Sequence, residues 1–209
     1  MWARLETWQK VALGSLVVVG AAALLQRRGN GPAAVARREA RWWEGLVETD
    51  PVVLPKLEEY WAAALQPFPG LDEPWSAAFV SWAVEQSDQS GALTASGAHI
   101  FYTRAAYWNR GKPGLYGAYD PGELPLRPGD IIVRGRAGRD LTWSDIAQGG
   151  DYIPTHGDIV TEVSPDRALI VGGNVGNAVK EREIELWDGY APSPPYAAVL
   201  RIQDSSAAV

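Results

Sequence analysis

The sequence predicts an α+β fold, with helices first and a small antiparallel β-sheet after them. Three observations predict it. Between residues 33 and 108 the apolar residues recur at spacings of three and four, as one face of a helix requires. From residue 131 onward the apolar runs are short, rich in Ile and Val, and separated by Gly, Pro, Asn and Asp. Ser164-Pro165-Asp166-Arg167 falls between two such runs and reads as a hairpin turn, so the strands it joins are antiparallel. Helices grouped ahead of strands, rather than alternating with them, mark the α+β class.

Three segments are expected along the chain: a hydrophobic N-terminal segment over 1–28, a helical extension over 29–69, and a domain that carries the chemistry over 70–209. Val11 to Leu25 carries no charge. Its run of about 15 residues is short for a membrane span, which needs roughly 20. An uncleaved anchor with Trp2 and Trp8 at the interface, a cleaved signal peptide ending near Ala21-Ala22-Ala23, and a buried helix all remain open. Arg27, Arg28, Arg37, Arg38 and Arg41 come after the run and outnumber the cations before it, which argues against export of the C-terminal domain.

Gly29-Asn30-Gly31-Pro32 breaks the chain. A helix is expected over Ala33–Glu48, with Val35, Trp42, Trp43, Leu46 and Val47 as its apolar side. A second starts at Asp50 as N-cap and Pro51 at the first helical position, and runs through Leu65. The third, from Pro74 to about Gln86, is apolar nearly all round and therefore buried. Ala98 to Trp108 makes a fourth. Residues 111–128 and 135–154 read as loops. Strands are expected at 131–133, 156–163, 168–171, 179–187 and 197–202.

Composition narrows the function. The 209 residues, 46% hydrophobic and 21% charged, describe a globular chain, and its net charge of -6 makes nucleic acid an unsuitable partner. There is no cysteine, which excludes disulfides, thiolate metal sites and a thiol nucleophile. Gly172-Gly173 has no Gly-Lys-Ser/Thr after it and is not a phosphate loop. His99, His156, Asp158 and Asp130 could supply N/O ligands, but in no recognised metal spacing, so no metal or cofactor is expected. The ten tryptophans suit sugar rings or a membrane interface, yet most should pack the core.

Chemistry centres on Pro74-Trp75-Ser76. A serine at the mouth of a buried helix can serve as a nucleophile, with free backbone N–H groups beside it to receive an oxyanion. It can equally serve as a helix cap. Only two histidines exist, so the general base is His156 or His99. His156 opens one strand of the hairpin and Asn174 ends the returning one, which sets them roughly opposite each other. Asn174 can therefore orient the imidazole. Asp158, two residues along the same strand face, is the rival. His99 opens the helix after that of Ser76 and can reach the same cleft, as a substrate-binding residue or as the base. Trp75 can line that cleft or wedge the helix against the sheet.

Trp75-Ser76-Ala77-Ala78-Phe79-Val80, Pro128-Gly129-Asp130-Ile131-Ile132-Val133, His156-Gly157-Asp158-Ile159-Val160 and Gly172-Gly173-Asn174 together resemble the CHAP and related papain-like cell-wall amidases. Those domains write Trp-Cys-Ala-Ala-Phe-Val, Pro-Gly-Asp-Ile-Val, Gly-His-Val-Gly-Ile-Val and Gly-Gly-Asn in that order. The likeness covers about residues 70–202. It implies a papain-like amidase fold, an amidase or peptidase acting on peptidoglycan, and catalytic roles for Ser76 (nucleophile), His156 (base) and Asn174 (orienting residue). Trp75, His99 and Asp158 are then candidate substrate-binding residues.

The departure from the pattern is serine in place of cysteine. A serine hydroxyl is far less acidic than a thiol, so its proton must be removed during attack. Three outcomes are open: a working serine amidase, a domain that grips wall peptides without cutting them, or an active cysteine replaced to trap substrate. The reading from another class is a catalytically silent wall-binding or structural protein, such as a virion or secretion-machine component. The expected partners are peptidoglycan and, through residues 11–25, a membrane. The expected location is the cell envelope, by anchor or by export, with association to a virion as a variant.

Overall fold

A computed structural model describes residues 30–204. The hydrophobic run at 11–25 lies outside the described residues. Among the described residues the chain forms α1 (Pro32–Trp42), a 3-10 turn (Pro51–Val53), α2 (Leu54–Ala63), α3 (Ser76–Glu85), α4 (His99–Trp108), β1 (Tyr116–Tyr119), β2 (Ile131–Gly135), α5 (Trp143–Ala147), β3 (Thr155–Val163), β4 (Arg167–Gly172), β5 (Lys180–Glu185) and β6 (Tyr196–Ile202). The strands make one antiparallel sheet in the order β1-β6-β2-β3-β4-β5. The class is α+β. No helix among the described residues is long and apolar enough to cross a membrane.

Alternation along the strands divides the sheet into two buried faces. Ile131, Val133, Ile159, Val171 and Leu200 point toward the helices and share one apolar cluster with them. Ile132, Val160, Ile170 and Val199 point the other way, onto Leu126, Leu186 and Tyr196. Burial on both sides explains why Ile131-Ile132-Val133 and Ile159-Val160 are unbroken apolar runs. At one edge β5 reads Lys-Glu-Arg-Glu-Ile-Glu, and its charges discourage pairing with another chain.

The helices are held by aromatic rings. Trp75 stacks on Trp43 with centroids 5.2 Å apart, and Tyr60 packs on Trp75, Phe79 and Trp82. Tyr60 donates to the buried Glu39 carboxylate at 2.5 Å and accepts from Trp43 Nε1 at 2.9 Å. Burial raises the Glu39 pKa above the usual carboxylate value, against the Tyr60 hydrogen bond and Lys56. α1 and α2 therefore belong to the same core as α3 and the sheet.

Several elements differ from expectation. α1 ends at Trp42, not Glu48: the next residues turn, with Gly45 at φ 78. Asp50 does not cap a helix with its side chain. Its Oδ2 accepts instead from the Val47 N–H at 2.7 Å, and α2 begins only at Leu54. α3 starts at Ser76 rather than Pro74, so Ser76 is its first helical residue. Two elements lie within expected loops. Tyr116-Gly117-Ala118-Tyr119 pairs with β6 although none of the four is β-branched. α5 carries a capping box between Thr142 and Asp145 inside the 135–154 stretch.

Asp130, from the Pro-Gly-Asp turn, has a structural partner. Its carboxylate is buried and takes two hydrogen bonds from Arg201, Nε at 2.8 Å and Nη2 at 2.5 Å, joining β2 to β6.

Candidate active site

Ser76 opens α3, where the first backbone N–H groups have no intrahelical acceptor. His99 opens α4 in the same way. The two helix starts meet, and the Ser76 hydroxyl lies 2.7 Å from His99 Nε2. On its other side, His99 Nδ1 contacts the Tyr102 hydroxyl, one turn along α4. A neutral ring with its proton on Nδ1 satisfies both contacts: Ser76 donates to Nε2, and Nδ1–H donates to Tyr102.

Two glycines let the helices sit this close to the sheet. A Cβ on Gly157 of β3 would lie 2.7 Å from His99 Nδ1 and 2.9 Å from the Tyr102 hydroxyl. A Cβ on Gly173, just past β4, would lie 2.6 Å from Phe79 Cβ and 3.0 Å from Trp75 Cζ3. Gly157→Ala should therefore displace the His99 ring, and overpacking of this kind costs about 1–3 kcal/mol. The expected readouts are a lower urea midpoint and a shifted His99 imidazole resonance. An unchanged midpoint and resonance would show that the contact tolerates a methyl group.

Because Gly157 faces His99, alternation turns His156 and Asp158 to the opposite face of β3. The pairing implied by the resemblance, Ser76 with His156, is thus not the one the structure forms. His156 Nε2 instead donates to Asp158 Oδ1 at 3.1 Å, and Arg182 Nη2 donates to the same oxygen at 2.6 Å. The rings of His99 and His156 lie 5.6 Å apart, centroid to centroid. Asn174 does not orient His156 either. It stands past the end of β4 at φ 54, and no hydrogen bond joins the two. Asp158 takes that position as the nearer and charged acceptor.

A cavity of about 240 Å³ opens over the Ser76–His99 pair, lined also by Trp61, Glu73, Phe101, Arg136, Tyr152 and Thr155. Phe101 and Tyr152 pack at its rim with their rings tilted by 53° and centroids 6.3 Å apart. Arg104 holds the 145–151 stretch beside it, donating to the carbonyls of Gly150 and Asp151 at 2.7 Å and of Asp145 at 3.2 Å. Neither His156, Asp158, Asn174 nor Trp75 lines this cavity. Trp75 is fully buried, and its Nε1 donates to Glu48 at 2.7 Å. It wedges α3 in place rather than facing a ligand.

Electrostatics distinguish the two histidine sites. Burial, first, then the neighbouring His156, Arg136 and Arg134, push the His99 pKa well below its ordinary 6.5, while Asp158 opposes them. His99 is therefore neutral at neutral pH and free to accept a proton. Burial pushes Tyr102 well up, so its phenol stays protonated. Asp158 is lowered: burial raises it, but the His156 hydrogen bond, the His156 charge and Arg182 outweigh that. Its second oxygen, Oδ2, is buried without a hydrogen-bond partner. No group of three or more His, Asp or Glu placed to hold a metal ion occurs among the described residues.

Tyr102 and Arg136 join the site with no motif to announce them. The spacing carries a signal for Tyr102, since His99 and Tyr102 stand three apart on a helix and so share a face. It carries none for Arg136, which reaches the cavity only because the chain leaving β2 passes beside it.

A family model matches residues 30–189, that of a family described as "Uncharacterized protein conserved in bacteria (DUF2272)". Neither the curated proteins nor the solved structures gave a match. Because that match spans most of its length, the chain belongs to the bacterial DUF2272 family.

Proposed function

We propose that the chain is a serine hydrolase of amide bonds, with Ser76 as nucleophile and His99 as general base. The observation that carries this reading is the 2.7 Å contact between the Ser76 hydroxyl and His99 Nε2 under an open cavity. That distance is what proton transfer between a nucleophile and its base requires. Ser76 attacks the acyl carbon while His99 takes its proton. The oxyanion forms beside the free N–H groups at the start of α3, where the helix dipole also favours negative charge. The imidazolium then gives its proton to the leaving amine, and water resolves the acyl-enzyme by the same route in reverse.

Bacterial cell-wall peptide is the substrate class we infer. The support is the four motifs in the order of the CHAP and papain-like amidases, and the description of the family as conserved in bacteria. A papain-like arrangement of the α+β fold belongs to the same reading, with the difference that the base is on α4 instead of β3. Tethering or export through residues 11–25 would bring the domain to the envelope.

A second reading has an observation of its own. Ser76 and His99 are only 2% and 3% exposed, and Tyr102 gives His99 no charged partner to stabilise an imidazolium. Both suit a silent domain that binds wall or serves as a structural part. Fluorophosphonate labelling separates the two. The hydrolase should be labelled at Ser76, with labelling lost in Ser76→Ala and new amino termini released from peptidoglycan by the unmutated chain alone. A chain that is neither labelled nor active on peptidoglycan is the silent protein.

A further inference from the structure

We propose that Arg136 is the specificity residue of the Ser76 cavity and binds a carboxylate of the substrate. The inference rests on the hydrolase reading of that cavity and adds the chemical class of what enters it. Arg136 comes directly after β2, and its backbone N–H is held by the Pro154 carbonyl at 3.1 Å, so its position is set by the sheet rather than by a free loop. Its side chain is half-buried and lines the same cavity as Ser76 and His99. Among the described residues its guanidinium has no acidic partner within ion-pair distance. Arg37, Arg110, Arg127, Arg167, Arg182 and Arg201 each have one; among the described residues Arg38, Arg41, Arg104, Arg134 and Arg139 also lack one but do not line this cavity, and Glu73, which does, is not paired with Arg136.

An unpaired, partly desolvated guanidinium beside a nucleophile is costly unless a ligand completes it. The planar fork fits a carboxylate through two parallel hydrogen bonds. The cavity holds about 240 Å³, room for a residue or two of peptide beside the scissile bond. Phe101 and Tyr152 give the remainder of that ligand an apolar rim. A bound carboxylate also does electrostatic work. Arg136 is one of the charges that weaken His99 as a base, and neutralising it makes the developing imidazolium cheaper. An anionic substrate thus improves the base that cleaves it.

The test uses the full chain carrying Ser76→Ala, so that nothing is hydrolysed, with N-acetyl-alanyl-alanine and its C-terminal amide as probes. Saturation-transfer NMR reads their relative affinities. The acid should bind about tenfold or more tighter than the amide, as a charge-assisted pair implies. Adding Arg136→Ala should erase that preference, Arg136→Lys should keep part of it, and Arg136→Glu should reverse it. Equal binding of the two probes, binding of neither, or a preference that survives Arg136→Ala overturns the assignment. Fluorophosphonate labelling of the unmutated chain reports on the hydrolase reading separately, so the two can fail independently.

Discussion

His99→Ala is expected to lower turnover of an activated ester or amide by roughly a thousandfold, the usual worth of a positioned general base. His156→Ala should leave turnover within about tenfold of the parent, because a residue that only tunes a neighbour's charge is worth of order one pKa unit. Steady-state kinetics on the two variants decide between them. The reverse order, with His156 essential and His99 dispensable, would mean that the sheet face and not the helix start supplies the base. The pH profile carries the same information. Since burial and the neighbouring cations hold His99 well below 6.5, kcat/KM should be flat from about pH 6.5 upward and should fall only in acid. Stability has the same sign. The unfolded chain binds a proton near 6.5 that the folded one refuses, so this contribution is complete above that pH and is lost as the pH falls toward the lowered folded value.

Asp158→Ala is expected to destabilise the fold by about 3–5 kcal/mol, the cost of removing one partner from a buried ion pair. The carboxylate is fully buried, and its loss leaves the guanidinium of Arg182 and the ring of His156 without their shared acceptor. Urea unfolding followed by circular dichroism measures it. Turnover per folded molecule should change far less than in His99→Ala, since Asp158 does not line the cavity. A loss of under about 1 kcal/mol together with a hundredfold loss of turnover would instead assign Asp158 to the chemistry. The folded pKa is depressed, so the stabilisation is present above the ordinary 3.8 and disappears as the pH falls below it. Asp158→Asn should remove that acid-sensitive limb.

The division between the two histidines shows how far a motif reaches. His156-Gly157-Asp158 sits on a strand, as its sequence indicates, and the hairpin at 164–167 forms with the next strand. Which face of β3 meets α3 is another matter. A slip of one residue in alternation exchanges His156 for Gly157, and no local pattern announces it when both faces are buried. Asn174 illustrates the same limit. It stands near the hairpin's open end, but the chain has already turned there, and its left-handed conformation takes it out of the ladder. β1 is illegible for a different reason: a strand of Tyr, Gly and Ala is made by pairing with β6, not by propensity.

By itself the sequence determined the α+β class, the buried helix with a serine near its start, the short strands and the restriction to two histidines. Those depend on neighbours in the chain: apolar spacing, the breaks at Gly and Pro, and the absence of cysteine. Only the tertiary structure decided that Ser76 meets His99, that His156 is tied to Asp158 and Arg182, and that Arg136 shares the cavity of the nucleophile. The reason is that a catalytic contact depends on which faces of two packed elements meet. That choice is made by close approach at Gly157 and Gly173, where a single added methyl group would force the facing side chains to shift.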